Sequence, residues 1–120
     1  MLQPDYRALV IGASGAIGQA FVNYFESNPH CATTLALSRS TQPALHLLDA
    51  SSIRAASQEL ATHGPFDIIV DATGALTIDG RGPEKTLPSI DPAHFMASLQ
   101  INTIGPSLVL QQFSPLLRPG

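Results

Sequence analysis

The feature that most constrains this chain is a cluster of three glycines, Gly12-Ala13-Ser14-Gly15-Ala16-Ile17-Gly18, set between an apolar run and a helical pattern. Residues 8–11 are apolar and end at the first glycine, and Ile17, Ala20, Phe21, Tyr24 and Phe25 then recur at helical spacing. The pattern predicts strand, tight turn and helix, with that stripe on the inner face of the helix. Glycines in such a turn permit positive φ, let the backbone approach a phosphate closely, and let the helix pack against the strand. The helix start behind them offers free amides and the positive end of the helix dipole. A glycine turn without a ligand would place three poor helix formers at a helix start for no purpose. A nucleotide-hydrolysing phosphate loop needs a lysine after its last glycine, but Gln19 follows Gly18 and Lys85 is the one lysine of the chain.

Further along, Asn28 and Pro29 end the first helix, and residues 33–37 and 45–48 read as second and third strands. Ser51 or Ser52 caps a helix that carries Ile53, Ala56, Leu60 and Ala61 on one face and stops at His63, Gly64 and Pro65. Residues 68–70, bracketed by Asp67 and Asp71, read as a central parallel strand covered on both faces. A loop follows over residues 73–90. Asp91 and Pro92 then start a helical pattern that runs to Leu117, with Val109, Phe113, Leu116 and Leu117 on one stripe and Gly105-Pro106 bending or dividing it. The alternation predicts an α/β fold: the N-terminal part of a Rossmann doubly wound parallel sheet, about four strands with flanking helices. Residues 1–120 form one unit, an incomplete dinucleotide-binding domain with no linker, internal repeat or second domain.

Charge and composition exclude several function classes. The net charge is −3 and the six Lys and Arg residues are scattered, which excludes nucleic acid and anionic membranes as partners. There is no long apolar run for a membrane span, and residues 1–5 lack the basic and apolar regions of a signal peptide. Cys31 is the one cysteine, so no internal disulfide forms, and a cytoplasmic location is expected. His30, His46, His63 and His94 share no ligand-like spacing and read as surface or loop residues, so no metal is predicted. Asp79, Glu84 and Asp91 read as loop and capping charges.

The second strand speaks to the ligand. An acid that holds the ribose of NAD is expected about 20 residues beyond the glycines, yet residues 31–40 contain no Asp or Glu. Arg39 stands there instead, flanked by the hydroxyls of Ser38 and Ser40. A guanidinium at that point pairs with the 2′-phosphate of NADP, so NADP is expected in preference to NAD. The alternative is a solvated surface arginine. A methyltransferase of similar fold also requires an acid after the second strand.

Together, Gly12 to Gly18, Ser38-Arg39, Asp49-Ala50, Asp71-Ala72-Thr73-Gly74 and Asn102-Thr103-Ile104-Gly105 resemble the short-chain dehydrogenase/reductase family, in order and across the whole chain. The stretch Pro83-Glu84-Lys85-Thr86-Leu87 is similar to the branch containing C-factor-type cell-signalling oxidoreductases. The resemblance implies that Gly12, Ser14, Gly15, Ile17 and Gly18 surround the cofactor phosphates. It sets Ser38 and Arg39 at the 2′-phosphate, Asp49 near the adenine, and Ala72 and Gly74 beside the cofactor. Two residues depart from the family pattern: Ala16 replaces a common glycine, and Asp71 replaces the first asparagine of the usual Asn-Ala-Gly stretch. Asn102 matches the asparagine of the Asn-Ser-Tyr-Lys tetrad, whose carbonyl holds a water of the proton relay. Pro106 has no amide to give the Asn102 carbonyl four residues earlier, which leaves that oxygen for water; equally, Pro106 simply starts a second helix.

In the family a serine and a Tyr-x-x-x-Lys pair follow a few dozen residues after this asparagine, the tyrosine passing a proton while nicotinamide passes a hydride. Neither is present here: Tyr6 and Tyr24 are followed four positions on by Val10 and Asn28. The expectation is therefore the NADP-binding portion of a short-chain oxidoreductase acting on a small carbonyl or alcohol substrate, a fragment or truncated product, inactive alone. The alternative is a non-catalytic dinucleotide-binding or signalling module. Homo-oligomers through helix-to-helix contacts are what the family implies.

Overall fold

The computed structural model describes residues 2–120. Three strands, β1 (Tyr6–Ile11), β2 (Cys31–Leu37) and β3 (Ile68–Asp71), form one parallel sheet in the order β2-β1-β3. Helix α1 (Ala16–Ser27) follows β1, α2 (Ala50–Ala61) precedes β3, and α3 (Pro92–Leu99) and α4 (Gly105–Phe113) follow the long loop.

β1 alternates between two cores. Leu9 and Ile11 join Leu37, Leu45, Ile53, Ala56, Leu60, Phe66, Val109 and Phe113 on one side of the sheet, beneath α2 and α4. Tyr6, Ala8 and Val10 join Ala13, Val22 and Phe25 on the other, beneath α1. Such two-faced burial is the signature of a doubly wound parallel sheet.

The sheet has three strands rather than about four. Residues 45–48 form no strand: Leu45 N–H donates to Ser38 O (3.0 Å) and His46 N–H to Ser52 Oγ (2.9 Å), partners that lie outside the sheet. Leu45 is nonetheless buried and Leu47 packs on the same core, so the apolar pattern marks burial without pairing. β3 is likewise an edge strand, and β1 is the central one.

The inner face of α1 is Gly18, Val22 and Phe25, while Ile17 and Tyr24 are 68% and 60% exposed. A β-carbon on Gly18 would overlap the Gly12 carbonyl oxygen, so this backbone contact turns Gly18, not Ile17, toward the sheet. Asp49, rather than a serine, caps α2, accepting from Ser51 N–H and Ser52 N–H. The Asp91 carboxylate does not cap α3; it pairs with Arg81 Nη1 at 2.9 Å. The helical pattern after Asp91 is divided by a π turn, Gln100–Ile104, in which Gly105 N–H reaches back five residues to Gln100 O. Pro106 then lies in the first turn of α4, which continues directly from the π turn with Ile104 and Gly105 in helical conformation, so Pro106 has no amide to give the carbonyls of that turn.

The tail closes against the start of β3. Phe66 N–H donates to Leu116 O (2.9 Å) and Arg118 N–H to Phe66 O (2.7 Å), while Arg118 Nε meets Asp67 Oδ1 at 2.6 Å. Among the described residues no helix is long and apolar enough to cross a membrane.

Candidate functional site

Parallel register brings three strand ends together, since Ile11 is level with Leu37 on one side and Asp71 on the other. The segments that follow, residues 12–18, 38–41 and 72–75, therefore share the carboxyl edge of the sheet, where open α/β sheets bind their ligands. Gly12, Ser14, Gly15, Ile17, Gly18, Ser38, Arg39, Ala72 and Gly74 all belong to this edge.

The glycine loop is anchored to β2, with Gly12 N–H and Ala13 N–H both donating to Leu37 O, at 2.9 and 3.0 Å. Gly12 has φ +83° and lies under the next strand end: a β-carbon there would stand 2.7 Å from the Ala72 carbonyl carbon and oxygen. Gly12 and Gly18 are thus required by the fold. Gly15 is different. Its φ of −76° suits any residue, and a β-carbon on it would meet nothing closer than 3.8 Å. It is the N-cap of α1 yet offers no side-chain cap, so the first-turn amides have no capping side chain from it. Ser14 and Ile17 are exposed beside it.

Beyond β2, a hydroxyl-rich turn fixes Ser38. Its amide donates to Thr41 Oγ1 at 2.9 Å, and its buried hydroxyl accepts from Ser40 N–H at 3.2 Å and lies 3.1 Å from Ser40 Oγ. The Ser38 hydroxyl is therefore engaged in shaping the turn. Arg39 between the two serines is exposed, and among the described residues no hydrogen bond or ion pair engages its guanidinium. Thr41, which ties the turn, was not singled out by the sequence; a threonine four residues past the strand end is its one signal.

After β3, Asp71 Oδ1 accepts from Thr73 N–H (3.0 Å) and Thr73 Oγ1 (2.5 Å), so this carboxylate builds its own turn. Asn102 arrives from the π turn and clamps this segment, with Ala75 N–H donating to Oδ1 and Nδ2 donating to Ala75 O, both at 2.8 Å. Gly74, at φ +136°, leaves room for that amide: a β-carbon would lie 3.0 Å from Asn102 Oδ1.

Asp49 is not brought to this edge by any hydrogen bond among the described residues; its carboxylate is occupied at the start of α2. The Ser51 hydroxyl, then the Ser52 amide, hold its pKa below the usual carboxylate value. Tyr6 opens β1, at the opposite end of the sheet from the glycine loop, and Tyr24 is exposed on α1. Neither tyrosine stands at the candidate site. Among the described residues no group of three or more His, Cys, Asp and Glu side chains is placed to hold a metal ion.

No family model and no curated protein sequence matches the chain. Solved structures do. NADPH-bound carbonyl reductase from chicken fatty liver superposes with a TM-score of 0.79 at 19% identity, covering 96% of this chain and 49% of its own. A short-chain dehydrogenase/reductase of Serratia marcescens gives 0.74 at 19% identity, covering 96% and 54%. The aldohexose dehydrogenase of Thermoplasma acidophilum gives 0.75 at 14% identity, covering 95% and 45%. The chain thus spans about half the length of the structures it matches. These superpositions and the β2-β1-β3 sheet identify its fold as the N-terminal, Rossmann-like part of the fold shared by short-chain dehydrogenases.

Proposed function

We propose that this chain is the NADP-binding portion of a short-chain dehydrogenase/reductase, with the cofactor held across the carboxyl edge of the sheet. The observation that carries the proposal is Gly15, the one glycine of the loop that neither backbone conformation nor packing requires. Leaving that position without a side chain keeps the uncapped start of α1 open to a phosphate. Arg39, free of protein partners among the described residues, suits the 2′-phosphate of NADP, with Ser38 and Ser40 shaping its turn. Ala72 and Gly74 flank the cofactor, and Asn102 positions that segment through Ala75.

When bound, the cofactor supplies hydride exchange with a carbonyl or alcohol. In this reading the chain's own residues bind and orient it, and proton transfer falls to groups outside these 120 residues, because neither Tyr6 nor Tyr24 reaches the crevice.

Calorimetry with NADP and NAD on the chain and two variants tests the proposal. The expected outcome is tighter binding of NADP than of NAD. Gly15→Ala weakens both ligands without lowering Tm. Arg39→Ala weakens NADP alone by about ten- to a hundredfold, the worth of a charge-assisted hydrogen bond or two. Equal affinity for the two cofactors sinks the Arg39 role, and undiminished binding by Gly15→Ala sinks the crevice.

A further inference from the structure

His94 is buried on α3, on a helix with no other ionisable residue between Pro92 and Leu99. Its partners come from the preceding loop: Nδ1 lies 2.8 Å from Glu84 Oε1, and Nε2 lies 3.3 Å from the Arg81 carbonyl oxygen. Both partners are acceptors. A neutral imidazole has a single N–H and would turn a lone pair toward one of them, whereas the doubly protonated ring donates to both. The other charges nearby face elsewhere. The Arg81 guanidinium points to Asp91 Oδ2 (2.9 Å) and Ser89 O (3.0 Å), and Lys85 is exposed. Glu84 is therefore the one charged side chain that contacts the ring among the described residues.

The loop between these points begins beside the candidate site. Its first turn is clamped at Ala75 by Asn102, and its far end is fixed at Arg81 and Glu84 by His94. We infer that His94, with Glu84 and the Arg81 carbonyl, forms a pH-operated latch, which holds the loop against α3 at both points while the imidazole carries both protons and at one point only when a proton leaves, since the single remaining N–H serves one acceptor. This device does not depend on the cofactor assignment. At the acid end the His94 contact keeps Glu84 charged below the usual carboxylate range, so the latch persists through mildly acidic conditions. It loosens as rising pH removes one of the two ring protons, and again as strongly falling pH neutralises Glu84.

The test is nitrogen-detected NMR of the histidine ring, combined with amide exchange of residues 79–91, at about pH 5.5 and about pH 9. The expected result is two ring N–H groups at the lower pH and one at the higher. Loop amides, corrected for intrinsic rates, exchange about tenfold or more faster at the higher pH, while β1 amides keep their protection. His94→Gln, which retains a donor but cannot titrate, makes loop protection independent of pH, and Glu84→Gln, which removes the carboxylate acceptor, lowers loop protection at the lower pH. Protection of the β1 amides reports that each variant is folded, and the wild-type measurement decides alone if one is not. A singly protonated His94 at the lower pH overturns the latch, as does loop protection that is equal at both pH values.

Discussion

Gly12 holds φ at +83° beneath the Ala72 carbonyl, and Gly18 meets the Gly12 carbonyl oxygen; Gly15 does neither. Position and packing therefore separate glycines that look equivalent in the chain. Gly12→Ala places a β-carbon against backbone and also pays the left-handed penalty of about 1–2 kcal/mol, so a loss of at least about 2 kcal/mol is expected. For Gly18→Ala the overlap with a carbonyl outweighs the gain of about 1 kcal/mol from better helix propensity. Urea denaturation reads both as lowered midpoints, and either variant as stable as the parent refutes the packing role assigned to that glycine. The three glycines were legible in the sequence as a turn that approaches a phosphate. Which of them serves the fold and which the ligand was not, because that depends on the neighbouring strand end that each one faces.

At the scale of elements, α2 depends on a cap that the sequence pattern misplaced by two or three residues. Asp49 accepts from Ser51 and Ser52, and its pKa is held low by the Ser51 hydroxyl first and the Ser52 amide next. A carboxyl depressed in the folded state contributes stability above the ordinary carboxylate range and loses it as pH falls through the lowered value. Asparagine caps equally well without titrating. Asp49→Asn should therefore match the parent in Tm near neutrality and lose less of it on acidification from about pH 6 to about pH 2.5; parallel acid profiles would remove Asp49 from the account. The existence of α1, α2, β1, β2 and β3 was readable from periodicity and stop signals. The error at residues 45–48 has a simple cause: an apolar run reports burial, and Leu45 is buried while its amide is met by Ser38. The edge position of β3 depends on strand order, which no local pattern encodes. The pairing of His94 with Glu84 was hidden for a similar reason, since a ten-residue separation across a loop leaves no periodic trace.

Across the whole molecule, one sheet separates two apolar clusters and contributes to both through the alternation of β1. Phe113 is 1% exposed and lies in the larger cluster with Phe66, Ile53 and Val109. Phe113→Ala should cost about 3–5 kcal/mol, a large share of the roughly 5–15 kcal/mol that holds a domain folded; a loss below about 1 kcal/mol in denaturant titration would show that α4 contributes little to the core. The contact of Gly18 with Gly12 has a longer reach than its size suggests. It sets the rotational phase of α1 as a keyway sets a shaft, and every residue of the helix inherits its facing from that one carbonyl. Ile17, Phe21 and Tyr24 are outside because Gly18 is inside. Changes to the turn are thus transmitted as changes of surface along the helix, and the loop and the exposed stripe are bound to vary together.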